Sequence, residues 1–300
     1  MLTNHVSSLS PRDLEDQGRA SRRYWNAHPI ATDRVGREPG SPESFEAIYA
    51  LWRSTWESKR ERFMEACGGQ RILEVGCGIA IDGRVIVQSG GDYHGLDHSL
   101  QSLLLARRNF EYAQLSHARK FVNADATRLP FPSEHFDLAM SIGVLMCVPS
   151  IADACRELIR VVRPGGSVRV MLYCRRSWHY VLVKYVVVPL IWLMLHLRPF
   201  EALLSIAPDK LRYLYAISRE TGFDTYRILA ASADTSFAGA DNSIPVSGFF
   251  TEREMRELFP GLDEYRFFKQ DLKYFPLPFL RRWVEPRWGF FLTMTARKPC

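Results

Sequence analysis

Between residues 71 and 173, apolar runs of strand length alternate with amphipathic segments of helix length. The first run, Arg71–Val75, leads into a glycine loop and a helix, and a second ends at Asp97. Three further strands are predicted in "KFVNAD", "FDLAMSIG" and "SVRVMLY", with helices in "SLQSLLLARRNFEYAQL" and "SIADACRELIRVV" between them. Because strands that alternate with helices form right-handed βαβ units, the pattern predicts an α/β fold with a doubly wound, mostly parallel sheet.

The residues that precede this region follow another pattern. Residues 1–42 are polar and rich in Pro, Gly and Ser, which predicts disorder in the early part. The segment "RRYWNAHP" within them is too apolar for a free tail. From Ser44 to about Ala66, apolar residues such as Phe45 and Ile48 recur at helical spacing. Residues 1–69 are therefore predicted to form a tail and a helical cap.

After Tyr173 the alternation stops. Residues 175–260 are predicted to be an apolar helical insertion that begins directly after the fifth strand. Two strand-like runs, "DEYRFFK" and "WGFFLTMTARK", close the chain within residues 261–300 and complete a seven-stranded Rossmann-like sheet. Residues 70–174 are then the ligand-binding core.

The most apolar stretch of the insertion covers residues 181–197. Since a bilayer span needs about 20 apolar residues, a membrane span is one interpretation. A helix pair in the core or in a dimer contact is another. The third is a lid that shapes a lipophilic substrate pocket or lies on a bilayer surface, and basic and aromatic residues around the stretch favour it. These residues are Arg175, Arg176, Arg198, Tyr185 and Trp192.

The charge and the cysteines limit the classes of function. The chain of 300 residues has a formal net charge of +6, which could serve nucleic acid, anionic lipid or an anionic substrate. No long Lys/Arg run or RNA-module signature occurs, so nucleic acid is not a predicted partner. The six cysteines lack C-x-x-C and zinc-finger spacing, so no metal site is predicted and reduced thiols of a cytoplasmic protein are expected. No secretory signal is predicted at the start.

The loop in "RILEVGCGIAIDG" is a candidate nucleotide-binding loop. A dinucleotide fingerprint, G-x-G-x-x-G after a strand, starts with Gly76 and Gly78 but fails at Ile81. The alternative frame G-x-G-x-G has Ala80 at its last position. A dehydrogenase is therefore disfavoured.

Acidic residues end three consecutive predicted strands. They are Glu74, Asp97, which lies 21 residues after Gly76, and Asp125. Ligands of doubly wound sheets bind beyond the carboxyl ends of the strands, and an acidic side chain at the second strand can accept hydrogen bonds from both ribose hydroxyls. The spacing therefore predicts a ligand that contains a ribose.

These motifs resemble the class I S-adenosylmethionine-dependent methyltransferases. "LEVGCGIAIDG" is similar to their first motif, "YHGLDHS" to the acidic motif of the second strand, and "NADATRLPFPSEHFDLAMS" to the adenine-side motif and fourth strand. "RELIRVVRPGGSVRVML" resembles the helix, turn and fifth strand that follow. The resemblance covers residues 71–173 closely and the last two strands loosely. It is greatest to the branch of quinone-precursor and sterol C-methyltransferases.

The resemblance implies S-adenosylmethionine as the cofactor and a role for each matching position. The glycine loop would approach the methionine part, which Glu74 would help to orient through water. The second strand would bind the ribose and adenine, and the third strand the adenine amino group. A backbone carbonyl of the fourth strand would lie near the methionine amine. The implied cofactor-binding residues are Glu74, Gly76, Cys77, Gly78, Asp97, His98, Asp125, Ala126 and Ser141. Ala80 replaces the usual third glycine and is expected to be tolerated.

One departure concerns proton transfer. Close members of the family that this chain resembles often read G-V-L-H-H after the fourth strand, whereas this chain has Met146 and Cys147 in place of the two histidines. A general base, where one is needed, is then expected after the fifth strand, and Tyr173 and His179 are the candidates. The expected function is C- or O-methylation of a small lipophilic molecule in the cytoplasm, with peripheral contact to an anionic membrane surface. A non-catalytic S-adenosylmethionine-binding or scaffold protein is the alternative, and the sequence leaves the oligomeric state open.

Overall fold

In the computed structural model, the residues described are 10–29, 35–115, 120–197, 202–233, 247–272 and 275–300. The helices, in chain order, are α1 Pro11–Ala27, α2 Pro42–Glu65, α3 Ile81–Gln88, α4 Leu100–Tyr112, α5 Ile151–Val161, α6 Trp178–His196, α7 Asp209–Thr221, α8 Thr225–Ala233, α9 Glu252–Leu258 and α10 Arg281–Trp288. The strands are β1 Arg71–Val75, β2 Asp92–Asp97, β3 Phe121–Asn123, β4 Phe136–Ile142, β5 Val162–Cys174, β6 Phe249–Phe250, β7 Asp263–Gln270 and β8 Phe291–Arg297.

The strands form one sheet in the order β3-β2-β1-β4-β5-β8-β7, and the two-residue strand β6 pairs with the end of β5. Strands β1 to β5 pair in parallel, and β8 runs antiparallel to both β5 and β7. The predicted doubly wound, mostly parallel sheet is therefore confirmed. The chain order reverses between β1 and β4, and in such sheets this switch point is where ligands bind.

Two apolar clusters cover the faces of the sheet. Ile72 and Met140 pack with residues of α2, α3 and α4 on one face, while Val75 and Val170 pack with α5 and α9 on the other. Because strand side chains alternate between faces, β1 and β4 supply both clusters, whereas β5 supplies the second. All three strands are buried along most of their length. The carboxyl ends of these strands are thereby held at fixed positions.

Helix α1 was not predicted from the sequence. The predicted early disorder does not hold from Ser10 onward, because Ser10 caps the helix and forms a capping box with Asp13. Tyr24 is buried in the core, and Ser99 at the start of α4 donates a hydrogen bond to the Trp25 carbonyl at 3.1 Å. These contacts fix α1 against α4, next to the carboxyl ends of the strands.

The insertion after β5 begins with the apolar helix α6, which contains a π-helical turn at Val183–Val187. Val188 and Ile191 of α6 pack with Leu214 of α7 and Ile228 of α8 in a third apolar cluster. The helix is long and apolar enough to cross a membrane, and 33% of its most apolar window is buried within the protein. Arg198, which flanks the predicted apolar stretch, lies outside the described residues.

Candidate active site

The loop after β1 brings its backbone against the loop after β4. Gly76 has a φ of +77°, and a Cβ at this position would lie 2.4 Å from Cγ2 of Val144. The N–H groups of Gly76 and Cys77 both donate to the Leu96 carbonyl, at 2.7 and 3.0 Å. A side chain at position 76 would therefore meet both a disfavoured backbone conformation and a steric clash. Glycine at position 76 is therefore required for the close approach of the two loops.

Ala80 ends this loop and precedes α3. Its φ of +56° lies in the left-handed region, where a residue other than glycine costs about 1–2 kcal/mol. The Ala80 N–H donates to the Cys77 carbonyl at 2.8 Å, and the methyl group is fully buried. The turn therefore explains why glycine is the usual residue here and how alanine is accommodated.

The Asp97 carboxylate lies at the end of β2 between two loops. Its Oδ2 accepts a hydrogen bond from the Gly78 N–H at 2.9 Å, and its Oδ1 accepts one from the Ser99 N–H at 2.8 Å. Burial raises the pKa of Asp97 above its usual range, and these two hydrogen bonds oppose the change. Since each carboxylate oxygen has two lone pairs, both oxygens can still accept hydrogen bonds from a ligand hydroxyl.

Asp125 and His98 extend the polar wall beyond Asp97. The Asp125 Oδ1 accepts hydrogen bonds from the N–H and the hydroxyl of Thr127, at 2.8 and 2.7 Å, which orients the carboxylate. Burial lowers the pKa of His98, although Asp97 acts in the opposite direction. The lower pKa favours the neutral imidazole, which is suited to contact an uncharged aromatic ring.

A cavity of about 550 Å³ lies over these residues, at the carboxyl ends of β1, β2 and β4. Its opposite wall is α1, and no motif in the sequence analysis pointed to these α1 residues. The signal was present in "SPRD", where a Ser N-cap, a Pro and an Asp at the third position are typical of a helix start. The lining residues from α1 are Leu14, Glu15, Gly18, Arg19, Ser21, Arg22 and Trp25.

Six of the nine predicted cofactor residues line this cavity. They are Gly76, Gly78, Asp97, His98, Asp125 and Ala126.

The other three predicted cofactor residues lie directly behind the cavity wall. The Glu74 carboxylate accepts a hydrogen bond from the Tyr93 hydroxyl at 2.6 Å, and the Ser141 hydroxyl donates to the Val75 carbonyl at 2.9 Å. Cys77 is buried, with its Sγ close to Gly95. These side chains support the strand ends, and their predicted contacts with the cofactor stay predictions.

Tyr173 and His179, the predicted catalytic residues, lie away from this cavity. His179 is 1% exposed, and its Nε2 lies 3.0 Å from the Ser232 hydroxyl. The rings of both residues pack against Phe290 at centroid distances of 4.8 Å. Neither residue is among the described residues that line the cavity. A general base must reach the proton it removes, so this packing favours a structural role for both side chains, and their catalytic role stays a prediction.

The His179→Ala variant is expected to lose about 2–3 kcal/mol of unfolding free energy, because the change leaves a cavity and removes a buried hydrogen-bond partner. Urea unfolding measures this loss. His196→Ala, at an exposed position of the same helix, is the matched control and should cost less than about 0.5 kcal/mol. A His179→Ala protein of unchanged stability but reduced turnover would restore the catalytic interpretation.

Comparison with known proteins shows what the cavity-forming part of the chain is similar to. Residues 73–170 match the family described as "Methyltransferase domain". A sterol 24-C-methyltransferase of Gibberella zeae is 34% identical over 171 residues, which are 54% of this chain and 44% of that protein. A phthiotriol/phenolphthiotriol dimycocerosates methyltransferase of Mycobacterium leprae is 34% identical over 100 residues, or 33% of this chain and 36% of that protein. The chain thus spans less than half the length of these curated relatives.

One solved structure with a similar chain path is a possible histamine N-methyltransferase of Thermotoga maritima. It is 16% identical, and the match covers 85% of this chain and 96% of that chain with a TM-score of 0.47.

Proposed function

We propose that this chain, whose residues 73–170 form a class I S-adenosylmethionine-dependent methyltransferase domain, transfers a methyl group to a small lipophilic molecule. Methyltransferases of this class use S-adenosylmethionine. The observation that carries the proposal is the cavity at the switch point of the sheet, where a glycine loop, Asp97 and Asp125 meet. These residues fit the cofactor, since the glycines admit a close ligand and the carboxylates can accept hydrogen bonds from ribose hydroxyls and an amino group.

In this proposal the residues of the chain bind and orient rather than react. Bound S-adenosylmethionine supplies an activated methyl group on a positively charged sulfur. Asp97 would hold the ribose, Asp125 and Ala126 the adenine, and the loop from Gly76 to Gly78 the methionine part. Helix α1 would exclude water from the opposite side. Alignment of an acceptor with the methyl–sulfur bond can contribute about 7–11 kcal/mol to lowering the barrier.

No general base is assigned in this proposal. Position 147, where relatives have the second histidine, is a cavity-lining cysteine in this chain, and a thiol that is not activated is a poor base at neutral pH. His179 is enclosed by the core. The site therefore suits acceptors that react through an electron-rich carbon or oxygen atom and lose their proton without help from a side chain.

The insertion supports a lipophilic acceptor. The Gly248 N–H donates to the Met146 carbonyl at 2.9 Å, which joins the end of the insertion to the loop after β4. Burial raises the pKa of Tyr226, and the nearby Cys147 adds to this effect, so Tyr226 of α8 lies beside the same loop. The relatives named above include a sterol methyltransferase. We extend only the lipophilic class of substrate to this chain.

The alternative, a non-catalytic S-adenosylmethionine-binding or scaffold protein, is motivated by Met146 and Cys147 in place of two histidines. Incubation of the protein with methyl-labelled cofactor and a lipid extract of the source cells, followed by mass spectrometry, separates the two. The proposal predicts a labelled lipid that forms only with active protein. Tight cofactor binding without any labelled product would favour the scaffold.

Cysteine labelling tests the position of the cavity. Cys300 is exposed, whereas the other five cysteines are buried, and burial raises the pKa of Cys67 to about 11. An alkylating reagent at pH 8 is expected to modify Cys300 first and Cys147, which lines the cavity, more slowly. Saturating S-adenosylhomocysteine should slow the alkylation of Cys147 about tenfold or more, because the bound ligand occludes the thiol. The rate of alkylation of Cys300 should change little. Peptide mass spectrometry measures both rates.

An equal Cys147 rate with and without S-adenosylhomocysteine would contradict this placement. Cys147→Ser removes the protected site and should stay active, because its thiol has no assigned role.

We also propose a cytoplasmic location, because six free cysteines are typical of a reducing compartment.

A further inference from the structure

Large apolar side chains are exposed on two neighbouring segments of the chain. On α6 they include Tyr185, which is 65% exposed, and Trp192, which is 46% exposed. Around α10 they include Phe279 and Trp283, which are 74% and 73% exposed. We call these four side chains, together with the basic residues beside them, the aromatic–basic surface. Isolated exposed apolar residues are ordinary, whereas contiguous ones mark interaction sites. The positions of these side chains relative to one another therefore decide whether they form an interaction site.

The exposed residues of α6 lie on one side of the helix. Val183, Ile191 and Met194 point into the protein and are at most 4% exposed. Tyr185 and Trp192, seven residues apart, are on the opposite side, because this spacing returns to the same face after two turns. The helix is therefore anchored on the protein by one face and presents an aromatic face outward. This arrangement fits a helix that lies along a surface rather than one that spans a bilayer.

The two segments meet at the start of α6. The rings of Trp178 and Phe275 are 5.6 Å apart in an edge-on arrangement. Phe275 precedes the segment with Phe279 and Trp283, and Phe290, which follows this segment, packs against His179 of α6 at 4.8 Å. The C-terminal segment thus leaves and rejoins the protein beside α6, and the two groups of exposed aromatic residues belong to neighbouring surfaces.

Basic residues dominate the same segments. Residues 175–197 contain three basic residues and no acidic one, and residues 275–290 contain three arginines and one glutamate. Together the two segments have a formal net charge of +5, of which the charge of Arg175 is paired with Glu254 at 2.6 Å. The glutamate, Glu285, is paired with Arg281 at 2.9 Å. Arg176, Arg282 and Arg287 are exposed, and the Lys184 Nζ lies 5.4 Å from the centre of the Tyr185 ring.

We propose that the aromatic–basic surface docks the protein on an anionic phospholipid bilayer. Tyr and Trp side chains partition into the interface between headgroups and acyl chains, and Lys and Arg bind anionic headgroups beside them. The surface offers both kinds of side chain. A neutral apolar partner would not require the basic residues, and a purely acidic partner would not require the aromatic ones. The α6 part of the surface belongs to the insertion that also joins the cavity loop, so docking would place the site near lipid-dissolved molecules. Docking itself does not depend on methyl transfer.

Vesicle flotation with the full-length protein tests the proposal. The protein is expected to float with vesicles of phosphatidylcholine mixed with phosphatidylglycerol at low salt, and much less with phosphatidylcholine alone. High salt should release it, because attraction between charges is screened over about 10 Å at 0.1 M. No flotation with the mixed vesicles at low salt would overturn the proposal. Release by detergent only, and not by salt, would also overturn it by indicating an integral helix.

Paired variants locate the surface. Phe279→Ser combined with Trp283→Ser is expected to lower the partition coefficient about tenfold or more, because two exposed aromatic anchors are lost. Leu104→Ser, at a residue of α4 that is 42% exposed, is the matched control and should partition like the parent. All variants should bind S-adenosylmethionine like the parent, which shows that they are folded. Equal losses in the control and the double variant would contradict the assignment.

Charge variants separate lipid docking from self-association. Arg282→Gln and Arg287→Gln are each expected to weaken partitioning to the mixed vesicles about fivefold, without any change for phosphatidylcholine. Sedimentation velocity of the parent and the Phe279→Ser/Trp283→Ser variant measures oligomeric state. A parent dimer that the variant dissociates, with no vesicle binding, would assign the surface to a second copy of the chain and overturn the proposal. A failure of methyl transfer with intact vesicle binding would instead leave the docking unaffected.

Discussion

Gly76→Ala is expected to weaken S-adenosylmethionine binding about 100-fold or more. The added Cβ would lie 2.4 Å from Cγ2 of Val144 while the backbone holds a φ of +77°. The left-handed conformation alone costs about 1–2 kcal/mol, and overpacking adds about 1–3 kcal/mol. The loop can relieve the clash only by moving into the cavity or away from Val144, and both movements distort the site. Titration calorimetry measures the loss.

Gly69→Ala is the matched control for this variant. Gly69 has nearly the same φ, +74°, but a Cβ there meets nothing within 4 Å. Gly69→Ala should therefore lose a similar amount of unfolding free energy from the left-handed backbone conformation, with no change in cofactor affinity. Combining Gly76→Ala with Val144→Ala should recover part of the affinity, because the methyl groups that clash are removed. Wild-type affinity in Gly76→Ala would show that the loop does not approach the cofactor.

Asp97→Ala is expected to weaken cofactor binding by about 1.5–3 kcal/mol, the range for hydrogen bonds to a charged group. The structure adds a second effect. The carboxylate also accepts hydrogen bonds from the N–H groups of Gly78 and Ser99, so its removal leaves two backbone donors without this acceptor. A loss of about 1–3 kcal/mol of unfolding free energy is therefore expected as well. Calorimetry and urea unfolding separate the two losses.

Asp92→Ala, at the other end of β2, is the matched control. Asp92 pairs with Lys120 at 2.5 Å on the surface, and such pairs contribute up to about 1 kcal/mol to stability. Its loss should leave cofactor affinity unchanged. If Asp97→Ala bound the cofactor as tightly as the parent, the placement of the ribose at the end of β2 would be wrong.

The strand–helix alternation was sufficient to predict the sheet and much of the cavity wall at its carboxyl edge. Parallel strands end at one edge, so Gly76, Asp97 and Asp125 had to meet there whatever their distance in sequence. The family comparison supports the same region, residues 73–170. These positions can be predicted because the strands and helices of this region alternate along the chain and its parallel strands all end at one edge of the sheet.

The contacts of helix α1 and of His179 could not be predicted in the same way. Helix α1 is polar on one face, and its contact with the cavity depends on packing against α4, about 70 residues away along the chain. His179 follows β5 closely, but the packing of α6 against α8 turns its ring toward Ser232. The position of His179 just after a strand end predicted access to the cavity, but the packing of the insertion encloses its side chain.

Titration of the purified protein with S-adenosylmethionine and, separately, with NAD tests the central claim that the cavity at the switch point holds the methyl donor. We expect saturable one-to-one binding of S-adenosylmethionine and S-adenosylhomocysteine, weakened in both Gly76→Ala and Asp97→Ala, and no measurable binding of NAD. Binding of NAD in preference to S-adenosylmethionine, or no binding of S-adenosylmethionine by the folded parent protein, would contradict it.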